Sequence, residues 1–546
     1  MQVLDIVVDA IRNSKRLEIE PIFQLFLILF LLGFIPSWVL SRYSRIARST
    51  ALIFAIAILI NYIGLVILYP TWADYADPAE ANVAIVSWLL RRGEPIYPTL
   101  DAAGRYINNY GAFSYITHAI FLSLFTPSIF SSKLAGSIAG LSSLALIFLL
   151  IKHRLGQRFA IVGSAIVTLC FLNQTSASGL LASSFWVRPD SLLLFFSSLG
   201  LFLVVRCHKS FAIFGSAIAL GISTNLKVTA FLQFIPIYVL LLERFGLVSV
   251  LISAISSLLI SALPYLLPQI SLTNYWTWLQ QVRLKGINSA QIPKNLLWTA
   301  FVSIPSAIAL LLNFNPRWFS KRFLYCFTLI AGIVINAVIS STRGALENNM
   351  LPFVPLLVYL ATDLLQIKVT RPKLISVLGI SAAIAFVISS CVAVYSTEVK
   401  FIDRMLTAPG HRAIADLDRF IAAHPNRTIG IGYGAVSYQL SSYRPQLVFA
   451  GNPYLLDSAS LMEMQASGLD NTPEKTMNAL RTCQTQIWLI PKGNPPFQVY
   501  SYYPPLQKLF SDRFRKSFAA NYEKQETTEF YDAWFCKPQP STMRLL

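Results

Sequence analysis

The stretch that decides the fold is Leu247–Pro268, LVSVLISAISSLLISALPYLLP, which holds no charged residue. A helix needs about 20 apolar residues to cross the hydrocarbon of a bilayer, and this run supplies them. Similar blocks recur along the chain, near 21–40, 50–69, 128–151, 159–175, 186–205, 211–225, 228–243, 295–313, 323–341, 349–366 and 374–396. With the first, they make roughly twelve expected spans. The 546 residues are 55% hydrophobic and 13% charged, with a mean hydropathy of +0.56. A water-soluble chain of this size needs more charge to cover its surface. Inside lipid each backbone amide must pair within its own segment, so the blocks are read as helices. The short alternating segments of a β-barrel are absent.

Basic residues give the bundle a direction, because Lys and Arg of short loops stay cytoplasmic. Alternate loops carry them: Arg42, Arg45 and Arg48; Lys152, Arg154 and Arg158; Arg206 and Lys209; Arg244; Arg317, Lys321 and Arg322; Lys368, Arg371 and Lys373. The alternation puts the N-terminus outside with Arg12, Lys15 and Arg16. Two readings stay open there: an interfacial helix over 1–20, or a segment 21–40 that does not fully cross. The net charge of +18 follows from these loops and anionic headgroups. No compact basic domain accompanies it, so nucleic acid is not an expected partner.

Two long hydrophilic stretches, 70–127 and 397–546, fall on the extracytoplasmic side. The expected organisation is a mainly α polytopic domain over 1–396, including the external loop 70–127, and a small α/β domain over 397–546. In the latter, strands are read at Thr428–Gly434, Gln446–Gly451, Gln486–Pro491 and Glu529–Cys536, with helices near 409–423, 455–468 and 473–482. Gly430, Gly432 and Gly434 lack the spacing of a dinucleotide fingerprint and read as a turn. Cys483 and Cys536 are the only cysteines of that domain, in a compartment that permits disulfides, and are candidates to pair. The five histidines are scattered, with no zinc spacing.

The external loop opens with Thr71-Trp-Ala-Asp-Tyr-Ala-Asp-Pro-Ala-Glu-Ala81. Asp77 suits the N-cap of a helix with Pro78 in its first turn, and Glu80 lies one turn on. Val83, Val86, Leu89 and Leu90 form an apolar face that would lie along the membrane plane. A second such helix is expected over Phe113–Phe125. Arg188, Asp190, Lys227, Arg343, Glu347, Asn348 and Asn349 stand at the external ends of apolar helices, where ionisable groups are costly and mark function. Capping, snorkelling and structural ion pairing compete with that functional role.

These residues carry a resemblance. Asp77-Pro-Ala-Glu80, Leu90-Arg-Arg-Gly-Glu-Pro-Ile-Tyr97, Asn109-Tyr-Gly-Ala112, Trp186-Val-Arg-Pro-Asp190, Asn225-Leu-Lys227 and Asn348-Asn-Met-Leu-Pro352 resemble, in order and topology, the GT-C superfamily of integral-membrane glycosyltransferases. Its members include the protein O-mannosyltransferases and the lipid A aminoarabinose transferase. The resemblance implies transfer of a sugar from a polyprenyl-phosphate carrier to a lipid, glycan or protein acceptor outside the cytoplasm, in cell-envelope glycosylation at a bacterial plasma membrane. It implies Asp77 as base, with Glu80 or Asp74 as replacement candidates, and Asp190 orienting the acceptor or assisting the base. Lys227, Arg188 and Arg343 would meet the phosphate; Tyr110, Asn348 and Asn349 would contact substrate. Some members hold a divalent metal, and Mg or Mn on Asp77, Glu80 and Asp190 is an open alternative. The chain has Asp-x-x-Glu in place of an adjacent Asp-Glu pair. It has Asn109-Tyr110-Gly111 where close relatives carry Lys-Pro. The rival readings are a transporter or flippase of lipid-linked sugars, and a non-catalytic membrane scaffold.

Overall fold

The computed structural model describes residues 44–106, 110–172, 183–313, 315–345, 347–367, 409–435, 438–503 and 506–538, with scattered positions in 381–395. The span expected at 21–40, most of the one at 374–396, and the expected boundary at 396/397 lie outside these residues.

Among the described residues, eight helices are long and apolar enough to cross a membrane: Ser49–Thr71, Ile129–Leu155, Pro189–Arg206, Val228–Phe245, Leu247–Leu266, Gln291–Leu311, Pro316–Ile339 and Asn348–Leu365. This is an integral membrane protein. The expected twelve spans are not reached among the described residues. The block near 159–175 forms the shorter helix Gln157–Leu172. The block near 211–225 forms Lys209–Leu226, whose last turns carry Ser223, Thr224 and Asn225.

The helix Leu247–Ala262 shows how lipid has shaped the sequence. Its buried residues are Ser249, Ser253 and Ser257, one turn apart. Val248, Leu251, Ile255, Leu258 and Leu259 face outward. Water would favour the reverse; in lipid, small and hydroxyl residues make the helix contact. Ser253 meets Ser216 Oγ at 2.9 Å and Tyr238 OH at 2.8 Å. A Cβ at Gly221 would stand 2.6 Å from the Ser257 carbonyl oxygen, so only glycine allows this approach.

The described chain divides into two compact units. The first gathers residues up to 69, 135–263 and 287–406, and so holds most of the spans. The second gathers 70–134, 264–286 and 407–546.

The second unit contains a four-stranded sheet in the order β1 (Ile429–Ile431), β2 (Ile487–Pro491), β4 (Tyr531–Cys536), β3 (Tyr522–Thr527). β1 and β2 pair parallel, the others antiparallel. Central β2, IWLIP, is buried at every position, as a strand covered on both faces must be. Edge β3, YEKQET, is charged and mostly exposed, which discourages edge-to-edge pairing. Phe497 centres the core, with its ring 4.9–5.6 Å from those of Trp488, Phe510, Phe514 and Phe518. Cys483 and Cys536 form a disulfide with a Cα–Cα distance of 6.0 Å. The expected strand Gln446–Gly451 is instead the helix Arg444–Phe449. Pro445 at its start and Gly451, at φ 95°, just past its end are helix punctuation that outweighs the β-formers between them.

The external stretch forms helices Pro78–Arg91 and Ala112–Leu124. Val83, Val86 and Leu89, read as a membrane-lying face, are buried. The first helix packs against the second and against helices Arg444–Phe449 and Ser458–Ala466. Its apolar face therefore serves protein packing.

Candidate active site

Within the second unit, the acid-bearing segment is held from both sides. Asp77 caps the helix, its Oδ1 accepting from Ala79 N at 2.8 Å, and Glu80 Oε1 accepts from Ala76 N at 2.8 Å and Asp77 N at 3.0 Å. This is a capping box, satisfying amides that the first turn would leave unpaired. The carbonyls of the same segment go to Lys133, whose ammonium donates to Trp72 O at 2.7 Å and Asp74 O at 2.6 Å. Asp74 is buried and accepts from the Tyr443 hydroxyl. Glu80 is fully buried; of the three carboxylates, Asp77 alone keeps partial exposure.

Behind this segment, Tyr75 OH meets Ser132 Oγ at 2.8 Å, and His118 donates from Nδ1 to Ser132 O at 3.0 Å. Burial pushes the His118 imidazole down to about 4 from 6.5, against the raising effect of that hydrogen bond. A folded-state value below the unfolded one means stability is intact above pH 6.5 and lost as pH falls toward 4. The loss should reach about 3 kcal/mol. Melting curves from pH 7.5 to 4 should show this decline, and His118→Gln should flatten it.

Within the first unit, a second cluster forms where three apolar helices begin. Pro189 fixes the first turn of Pro189–Arg206, and Asp190 follows at the positive end of the helix dipole. Lys227 lies in extended backbone between Lys209–Leu226 and Val228–Ala230. Asn348 and Asn349 sit in the 3-10 helix Glu347–Phe353. Lys227 Nζ donates to Asp190 Oδ1 at 2.6 Å and Asn349 Oδ1 at 2.8 Å. Asn348 Nδ2 donates to Asp190 Oδ2 at 2.8 Å, and Arg188 Nε lies 3.3 Å from the same oxygen. Asp190 is fully buried. Two cations on one acid leave the cluster with one net positive charge. Asn348 Oδ1 has no hydrogen-bond partner among the described residues.

The cluster rests on a close approach. A Cβ at Gly136 would stand 2.2 Å from Trp186 O, and one at Gly140 2.8 Å from Ser184 O. Gly136→Val should displace the 184–188 backbone, lower stability by about 1–3 kcal/mol and disturb the Arg188–Asp190 pair. Thermal melts of the purified variant, read against wild type, check this.

A second polar knot occupies the opposite ends of these helices. Asp363 pairs with Arg154 and, at 3.0 Å, with Arg322 Nε, and accepts from Trp318 Nε1 at 2.9 Å; Arg322 also pairs with Glu243. Lys227 and Glu243 bracket one helix, and Asn348 and Asp363 another. The two knots are thus separated by roughly 20–25 Å of helix, with Arg154 and Arg322 of the basic loops in the second knot.

No family model and no curated protein matches the sequence. Solved structures do. The crystal structure of ArnT from Cupriavidus metallidurans bound to undecaprenyl phosphate superposes with a TM-score of 0.51 at 12% identity, covering 89% of this chain and 99% of that one. A fainter likeness, TM-score 0.40 at 12% identity, links 83% of this chain to 70% of the archaeal oligosaccharyltransferase AglB from Archaeoglobus fulgidus, solved with an inhibitory peptide and a dolichol-phosphate. ArnT is a GT-C membrane glycosyltransferase.

The chain has the GT-C fold.

On this GT-C fold, Arg188, Asp190, Lys227, Asn348 and Asn349 come together in one cluster. Arg343 is exposed in the turn that follows Thr342 and makes none of the cluster's contacts. Tyr110 is half-buried beside the second loop helix, its carbonyl accepting from Tyr97 OH at 2.8 Å. Among the described residues no group of three or more His, Cys, Asp or Glu side chains could hold a metal. Glu80 is taken by two amides and Asp190 by two cations and an amide. Sequence reasoning missed Lys133, buried in the second turn of Ile129–Leu155; a lysine inside an apolar span was the signal.

Proposed function

We propose that the chain is a glycosyltransferase, moving a hexosyl or pentosyl group from a polyprenyl-phosphate donor to an acceptor hydroxyl, with inversion. The observation that carries this reading is the Arg188–Asp190–Lys227–Asn348–Asn349 cluster, with Asp190 buried between two half-buried cations and a net charge of +1, on a GT-C fold. A lipid-phosphate sugar is a phosphodiester with one negative charge, which matches. The binding of undecaprenyl phosphate by ArnT supports the same donor class.

The acceptor oxygen attacks the anomeric carbon, and its proton passes to a carboxylate base, the role the sequence resemblance gives to Asp77. The bond from that carbon to the phosphate oxygen breaks, and its electron pair leaves with the polyprenyl phosphate. Lys227 and Arg188 stabilise the growing phosphate charge. Asp190 keeps both cations in place, and Asn348 Oδ1 is an acceptor for a substrate hydroxyl. No step passes through a metal. The alternation of basic loops supports an extracytoplasmic face for the Asp190 cluster.

The test is Asp77→Asn in lipid nanodiscs, assayed with a panel of radiolabelled undecaprenyl-phosphate monosaccharides. Asparagine caps a helix as well as aspartate, so melting should not change. Turnover should fall by about 10²- to 10⁴-fold. Full retention of transfer would remove Asp77 as base, and no transfer by wild type from any such donor would favour the flippase.

A further inference from the structure

One part of the second unit behaves unlike the rest. Residues 264–286 belong to it although they lie in sequence between two spans, Leu247–Leu266 and Gln291–Leu311. They form the helix Leu272–Val282, capped by Ser271 and continued by a 3-10 turn, Arg283–Lys285. The inner face is specific. Asn274 Nδ2 donates to Tyr97 O and Trp278 Nε1 to Pro98 O, both at 2.8 Å, and Ile96 N donates to Gln269 O at 3.2 Å. Tyr275 stacks on Tyr97 at 4.9 Å, and Lys285 pairs with Glu463. The helix therefore grips the connection between the two loop helices through its backbone carbonyls.

The outer face is exposed and carries large apolar side chains among the polar Thr273, Gln280 and Arg283. Leu272 is 55% exposed, Trp276 59%, Leu284 62%, and Leu266, just before the helix, 80%. Leu272 and Trp276 lie one turn apart, roughly 110° around the helix from Tyr275 and Trp278. By contrast, helix Pro78–Arg91 of the same unit has its apolar face covered.

We propose that this outer face is a lipid-binding surface that seats the 264–286 segment in the headgroup layer of the bilayer, with Trp276 at the boundary between headgroups and acyl chains. Three observations select lipid as the occupant. The helix is tethered at both ends to membrane spans, and the five residues 267–271 reach at most about 17 Å from the first. The segment 264–286 contains no acid, and Arg283 is exposed beside Leu284, suited to anionic headgroups. Tryptophan with leucines on one helix face is the composition of an interfacial helix. Through Asn274 and Trp278 the lipid surface then fixes the height of Tyr97 and Pro98, and with them the turn joining the loop helices.

The test uses the full chain with Cys170, Cys207, Cys326 and Cys391 replaced by alanine and the disulfide kept. Leu272→Cys, Trp276→Cys and Leu284→Cys are made singly, with Asp512→Cys as an exposed control. Each carries a nitroxide in nanodiscs of phosphatidylethanolamine and phosphatidylglycerol. Power saturation should give oxygen-to-nickel-chelate collision ratios at least about threefold above the control at the three sites. Ratios equal to the control would overturn the proposal, leaving the face in water. Low collision with both reagents would overturn it in favour of a protein occupant, and spin–spin broadening would identify a second copy. If one variant fails to incorporate, the other two decide.

Discussion

Asp190→Asn is expected to cost the fold about 3–5 kcal/mol, more than any other change in the cluster. Removing one partner of a buried ion pair leaves the other charge uncompensated. Here it leaves two, Lys227 and Arg188. Lys227→Met should cost less, because Asp190 keeps Arg188 at 3.3 Å and the Asn348 amide at 2.8 Å. The double variant Asp190→Asn/Lys227→Met should melt above Asp190→Asn alone, since one stranded cation is gone. Melting by intrinsic fluorescence in one detergent gives the order. Strict additivity of the two single effects would show that the pair is not coupled. Sugar transfer should stay lost in the double variant. Stability would then recover without activity, which separates the cluster's chemical role from its structural one.

The second large effect is expected at the disulfide. Cys483 and Cys536 are 53 residues apart, and closing a loop of that length stabilises by about 4 kcal/mol in the chain-entropy account. The bond joins the turn after helix Glu474–Arg481 to the end of β4. Cys483→Ser/Cys536→Ser should loosen the sheet's β4–β3 edge and raise proteolysis within 407–538. Reductant should reproduce the effect in wild type and add nothing in the double variant. An unchanged digestion pattern would show that the aromatic core around Phe497 suffices.

The bundle and the Asp190 cluster were legible because their signals are local and strong. An uncharged run as long as Leu247–Pro268 fits a membrane span and little else, and Arg188, Asp190, Lys227, Asn348 and Asn349 stand out at the edges of apolar helices. The acid segment was legible only as an ambiguity. Asp-x-x-Glu is both a capping box and a pair of candidate catalytic acids, and sequence spacing is the same for either. The structure shows Glu80 occupied by two amides. The burial of Val83, Val86 and Leu89 is completed, beyond the neighbouring helix Ala112–Leu124, by helices more than 350 residues away in the chain, which no local period reveals. The same holds for 264–286, whose membership in the second unit is a long-range fact. The helix Asp512–Asn521 and strand Tyr522–Thr527 were missed because their sequences are polar, with only Phe514, Phe518 and Tyr522 turned inward.

The two polar knots of the first unit bear on motion as well as chemistry. Helix Phe231–Phe245 has Lys227 tied to Asp190 just before it and Glu243 tied to Arg322 at its far end. The segment from Asn348 to Asp363 is pinned in the same way. Such helices are pillars bolted at both caps. Sliding one by a single residue, about 1.5 Å along its axis, would strain a charged contact at each end at once. Within the first unit, the paired knots hold these helices in one axial register with their neighbours at both ends.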